Sequence, residues 1–303
     1  MAIIKPKNYH LPSTTYHLPL VVIAGPTASG KTSLAIEIAK KYDGEIICAD
    51  SRSIYKGMDI GTAKPSVIEQ DGIPHWGLDL VNPNESYSAS DFKNYTLQKI
   101  DDIRARGKMP MLVGGTGLYI DAVIFDYQFG DAADMNRREQ LNDMTIEQLY
   151  EYCINNNIQL PENVQNKRYV IRNIERNGIN DSRRAVPIDN TIIVGIATDR
   201  DVLRSRIVRR IEQLFDDGVV DEAKKLGEMY GWGGEAFKGD VYPLAHKYLL
   251  GELTLDETKS KLATTDWRLA KRQLTWFRRN AYINWGNIVE LKEYIITQLA
   301  KSN

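Results

Sequence analysis

The chain has 303 residues, 43% of them hydrophobic, and a formal net charge of -1. That length supports one sizeable core and a smaller satellite domain, and the near-zero charge removes any global basic field for nucleic acid, so local clusters must be sought. Two cysteines, Cys48 and Cys153, exclude a disulfide framework or a multi-cysteine zinc site and suit a reducing cytoplasm, while no apolar run reaches the roughly 18 residues of a membrane helix.

Residues 1–18 lack the apolar core of a signal peptide and are expected to form an irregular leader. The four histidines (His10, His17, His75, His246) are too scattered to make a metal site. "PLVVIAG" then reads as a buried strand and "KTSLAIEIAKKY" as a helix, with apolar spacing at Leu34, Ile38 and Ala39. "GEIICAD" is a second buried strand. "SASDFKNYTLQKIDDIRARG" is a helix capped by Ser88, with Asp91 three residues on and Gly107 at its end. "KMPMLVGG" is a third strand entering a glycine turn, and "TGLYIDAVIF" leaves that turn as a helix. Strands alternating with helices predict an α/β fold with a parallel sheet.

The alternation then stops. Residues 125–185 hold three short helical patterns without a strand, and "NTIIVGIATD" resumes the α/β pattern. An all-helical insertion is expected over 125–185, with the core formed by 19–124 and 186–303. The C-terminal third reads as helices.

"GPTASGKT" fits G-x-x-x-x-G-K-[ST] and sits between a strand and a helix, where backbone N–H groups and the helix N-terminus converge on an anion. Gly25, Pro26, Thr27, Ala28, Ser29, Gly30, Lys31 and Thr32 therefore form a phosphate cradle. Lys31 supplies a point charge there, and the Thr32 hydroxyl can face magnesium. A kinase would pass the phosphoryl group on, whereas an alkyl transferase would leave diphosphate in the same cradle. Asp50 falls at the end of the second strand, the edge where open α/β sheets bind ligands. It either helps hold a metal or takes a proton from an acceptor. The third strand carries no carboxylate, which weakens an ATPase assignment. Two basic stretches stand out. "RLAKRQLTWFRR" has five positive and no negative residues, with Trp276 and Phe277 among them, and "KRYVIRNIERNGINDSRR" has six positive against two negative. Basic faces with interleaved aromatics fit phosphate contact plus base stacking.

"GPTASGKT", "ADSRSIYKGMDIGTAKP", "PHWGLDL", "YSASDF", "LVGGTGLY" and "AKRQLTWFR" followed by Trp285 together resemble the tRNA dimethylallyltransferases, in the family's order and over roughly residues 20 to 285. The resemblance implies a P-loop NTPase-like parallel sheet core, a helical insertion that grips the anticodon stem-loop, and a helical C-terminal part. It also implies magnesium, and transfer of a dimethylallyl group from dimethylallyl diphosphate to N6 of adenosine 37 by a cytoplasmic, monomeric enzyme. Under it Asp50 takes the N6 proton, Thr27 and Arg210 act on the diphosphate, and Thr32 faces the metal. Contacts to tRNA are expected from Asp50, Ser51, Arg52, Ser53, Thr116, Arg138, Arg168 and Arg172. The segment Lys271, Arg272, Gln273, Leu274, Thr275, Trp276, Phe277 and Arg278 is expected to join them. The chain departs from the family's pattern at "KGDVYPLAHK", where a glycine position holds Val241 and a basic position holds Pro243. The alternatives are a P-loop kinase with ATP in the loop, a prenyltransferase acting on free adenine nucleotides, and an RNA-binding module with a vestigial loop. The first two give no reason for "KRQLTWF", and the third none for intact Lys31, Thr32 and Asp50.

Overall fold

The computed structural model describes residues 18–129, 134–161, 163–178 and 182–302. The leader expected over 1–18, except Leu18, lies outside the described residues, as do His10 and His17. The chain forms two compact units, one from residues up to Val123 together with Asp189 onward, the other from Ile124–Ile188.

The first unit is built on six parallel strands: β1 Leu20–Ala24, β2 Gly44–Ala49, β3 His75–Trp76, β4 Met109–Gly114, β5 Thr191–Ile196 and β6 Asn284–Gly286. Their order across the sheet is β3-β2-β4-β1-β5-β6. Central β1 has Val22 opposite Leu112 on one side and Ile193 on the other. All five residues of β1 are fully buried, which is why it reads as a continuous apolar run rather than an alternating one. On one face Val21, Ile23, Met111 and Val194 pack against Leu34 and Ile38 of α1 (Lys31–Tyr42) and Leu291 and Ile295 of α11 (Ile288–Ser302). β3 and β6 leave no periodic mark in the sequence, because two and three residues are too few to show one.

The helices begin where local chemistry allows. Ser88 and Asp91 form a reciprocal capping box at α2 (Ala89–Ala105), and Thr254 and Glu257 do the same at α10 (Leu255–Phe277). α3 spans Gly117–Ile124. Between β5 and α10 lie α7 (Arg200–Asp216), α8 (Val219–Tyr230) and α9 (Val241–Leu249). Pro243 is exposed in the first turn of α9, where a missing N–H costs nothing. Among the described residues no helix is long and apolar enough to cross a membrane.

The long loop after β2 is fastened by a carboxylate from α8. Glu222 accepts the backbone N–H groups of Asp59, Ile60 and Gly61 at 2.9, 2.7 and 2.8 Å, and the Tyr242 hydroxyl at 2.8 Å. Beneath it Ile54, Tyr55 and Met58 pack with Leu226, Phe237 and Tyr242. Glu222→Ala strands four donors at once, so we expect a loss of about 3 kcal/mol in a denaturant titration. A loss below about 1 kcal/mol would mean that water replaces the carboxylate.

The second unit has three helices, α4 Met135–Asp143, α5 Ile146–Asn155 and α6 Lys167–Glu175, and no strand among the described residues. Leu141, Leu149, Cys153, Val170, Ile171 and Ile174 make its core. The Glu175 side chain, 5% exposed, receives Arg138 through two bonds of 2.7 and 2.6 Å and Arg172 at 3.2 Å.

Candidate active site

The loop from Gly25 to Thr32 leaves β1 at its carboxyl end and enters α1. Gly30, at the N-cap, has φ of 92°, and a Cβ there would stand 3.0 Å from Ile288 Cδ1. Only glycine meets both conditions cheaply. The Lys31 ammonium folds back to donate to the Pro26 carbonyl at 2.6 Å. Its pKa is pushed down to about 8, chiefly by burial and further by Arg210, while Asp50 opposes the shift. Ser29 is fully buried, with an Oγ that has no partner among the described residues.

Two arginines reach the loop from α7. Arg210 donates to Thr27 Oγ1 and, at 3.5 Å, to the Thr62 carbonyl, and its buried Nε has no partner among the described residues. Arg206 donates to the Ser29 carbonyl at 3.3 Å. From α10, Gln273 Oε1 accepts the Thr27 N–H at 2.9 Å.

Asp50 follows β2 on the same edge of the sheet. Its Oδ1 accepts the N–H of Arg52 at 2.8 Å and of Ser53 at 3.4 Å, which fixes the carboxylate at the head of the loop. Thr116, after β4, bridges the two strand ends. Its N–H donates to Ala49 O at 3.1 Å, and its Oγ1 accepts the Ser51 N–H at 3.0 Å. The strands can close this tightly because Gly114 has no Cβ, which would fall 2.1 Å from Ala49 O.

A cavity of about 490 Å³ opens here, lined by Thr27, Lys31, Thr32, Asp50, Thr116, Arg210 and Arg272 among others. It therefore brings the cations Lys31 and Arg210 together with the carboxylate of Asp50, which faces Lys31. Asp240 and Asp266, which the sequence did not single out, also line it. Asp266 is 5% exposed and has no hydrogen-bond donor among the described residues. Burial pushes its carboxyl above the usual range, Asp240 adds to that, and Arg210 opposes it. Cys48 lines the cavity too, but burial raises its thiol to about 12, so it is no nucleophile. No group of three His, Cys, Asp or Glu residues that could hold a metal occurs among the described residues.

The remaining expected contact residues divide by environment. Arg52 donates to Glu235 O at 2.9 Å, and Ser53 is buried. Lys271, Arg272, Thr275 and Arg278 are exposed, and Leu274 is half-buried. Trp276 donates from Nε1 to Asp121 at 2.7 Å, and Phe277 is fully buried in the core. In the helical unit Arg168 is exposed, whereas Arg138 and Arg172 are tied to Glu175.

A parallel sheet with a phosphate loop after its central strand, and a polar cavity at the carboxyl edge, defines an α/β enzyme of the P-loop type. Residues 53–280 match the family model described as IPP transferase. A tRNA dimethylallyltransferase of Acetivibrio thermocellus is 41% identical over 92% of this chain and 97% of its own length. Among solved structures, a tRNA isopentenylpyrophosphate transferase of Bacillus halodurans is 37% identical, with a TM-score of 0.73 over 94% of this chain and 97% of that one. One from Staphylococcus epidermidis is 32% identical, with a TM-score of 0.71 over 94% and 99%. The chain belongs to the tRNA dimethylallyltransferase family.

Proposed function

We propose that the protein transfers the dimethylallyl group of dimethylallyl diphosphate to N6 of adenosine 37 in tRNA, releasing diphosphate. The observation that carries this is one cavity holding a carboxylate, Asp50, beside a phosphate cradle whose cations, Lys31 and Arg210, come from separate elements. The diphosphate lies in the loop against backbone N–H groups, Lys31 and Arg210. As the C1–O bond breaks, its electron pair goes to the departing diphosphate oxygen, and these preorganised cations stabilise the charge that accumulates there. The N6 lone pair forms the new bond to C1. An exocyclic adenine amine is a weak nucleophile, because its lone pair is delocalised into the ring, but it becomes acidic as that bond forms. Asp50 then takes the N6 proton as general base. Reaching the cavity requires the base to leave its stack, at a cost of a few kcal/mol that is least in a single-stranded loop.

Magnesium fits the donor set. It takes phosphate oxygens, waters and few protein ligands, and the cavity-facing Thr32 hydroxyl makes no hydrogen bond within the protein among the described residues. Thr32 would hold the ion, which supplies further charge neutralisation on the diphosphate. We place the enzyme in the cytoplasm as a monomer, with the helical unit and the α10 cations as its tRNA grip.

Purified protein, dimethylallyl diphosphate and unmodified tRNA should give N6-prenylated adenosine and diphosphate in equal amounts by nucleoside mass analysis. ATP hydrolysis without transfer would favour the kinase instead.

A further inference from the structure

Away from the cavity, α7 and α10 present a feature that the transfer chemistry does not use. Trp267 sits half-buried on α10 with three cations around its ring. The guanidinium of Arg204 is 4.7 Å from the ring centroid, that of Arg200 5.6 Å, and the ammonium of Lys271 6.0 Å. All three are exposed, and none makes an ion pair with a carboxylate among the described residues. A number of surface cations, among them Lys40, Lys108, Lys238 and Lys292, each sit against an Asp or Glu, whereas these three gather on one ring. Three unneutralised charges on one indole repel one another, and each cation–π contact returns only about 0.5–1 kcal/mol at an exposed site. The cluster is therefore set up to receive negative charge from outside.

Its place in the fold says what kind of anion. Lys271 is followed on α10 by Arg272 and Gln273, which line the cavity, and α7 carries Arg206 and Arg210 from the same helix onto the phosphate loop. The patch is thus continuous, along two helices, with the rim of the site. A small anion would need an enclosing pocket, whereas an open row of cations beside an aromatic suits a polyanion that passes over it. A guanidinium lying against an indole keeps its N–H edges for phosphate oxygens, so the contact reads backbone and not base.

We propose that Arg200, Arg204 and Lys271, held by Trp267, form a docking surface for the sugar-phosphate backbone of the RNA whose target base occupies the cavity. This rests on the tRNA transfer function proposed above. The test uses the full chain, its tRNA substrate and the pair of variants Arg200→Gln/Arg204→Gln and Arg200→Lys/Arg204→Lys. The Gln pair should weaken tRNA binding about tenfold to a hundredfold at low salt. It should also flatten the slope of log affinity against log salt by about 1.4–1.8, two contacts at 0.7–0.9 each. The KM for tRNA should rise while kcat and diphosphate affinity hold. The Lys pair keeps both charges and should keep the slope, which separates charge from a packing role at the α7–α10 joint. A wild-type slope in the Gln pair overturns the docking surface, as does equal damage in both pairs. If wild-type protein neither binds nor prenylates tRNA, the functional assignment itself has failed.

Discussion

Asp50→Asn is expected to slow prenyl transfer by about 10²–10⁴-fold, the range for a lost general base, while diphosphate binding near pH 7 stays close to normal. The amide oxygen of Asn can still accept the N–H groups of Arg52 and Ser53 that Asp50 Oδ1 now receives. The head of the loop should therefore keep its shape, and only proton acceptance is lost. A single-turnover experiment with bound substrates isolates that step, and a near-normal rate would remove Asp50 from the chemistry. Asp50 also supports the charge on Lys31. The Asn variant should therefore lose diphosphate affinity at lower pH than wild type as pH is raised.

Lys31→Ala should cost about 10²–10³-fold in transfer, the range for removing one preorganised contact to a developing anion, and should weaken diphosphate binding as well. Its effect on the unliganded fold runs the other way. Burial holds the Lys31 pKa near 8, below the ordinary 10.5, so folding costs energy wherever the ammonium is charged in both states. That cost is fully present below about pH 8 and vanishes as pH rises toward 10.5, because the unfolded chain binds more protons across that window. The Ala variant should accordingly be more stable than wild type at pH 7, with the gain shrinking by pH 10. Diphosphate favours the ammonium, so wild-type affinity should fall as pH rises through about 8, and the Ala variant should lose this step. Calorimetric titration with diphosphate across pH 7–10 tests the binding half, and thermal melts at pH 7 and 10 the stability half. A flat affinity profile in wild type would mean that Lys31 keeps its proton whether or not the cradle is filled.

The phosphate loop was legible because its glycines, lysine and threonine fall at fixed spacing between two periodic segments. The four long strands and the helical insertion were legible as uninterrupted apolar runs and their absence. What escaped depends on distance in the chain. Gln273 bonding Thr27 and Glu222 fastening Asp59 to Gly61 join residues with no local pattern in common. Asp240 and Asp266 look like ordinary surface acids until burial is known. The aromatic pair of "LTWF" looked like a stacking platform, yet the buried positions of α10 (Leu262, Asp266, Ala270, Phe277) recur at helical spacing and carry Phe277 into the core.

The Glu222 clasp also bears on synthesis. Gly61 and the carboxylate that holds it are 161 residues apart, and at about 5–20 residues per second the ribosome needs roughly 10–30 s to cover that interval. Through that time the segment next to Asp50 has emerged without its fastening. We expect a nascent chain stalled short of α8 to be cut by protease within residues 51–64, and one stalled well past α9 to resist. Equal resistance in both would mean that the segment orders on the sheet alone. If the difference appears, the part of the molecule that positions the proton acceptor matures late, when three-quarters of the protein has already been made.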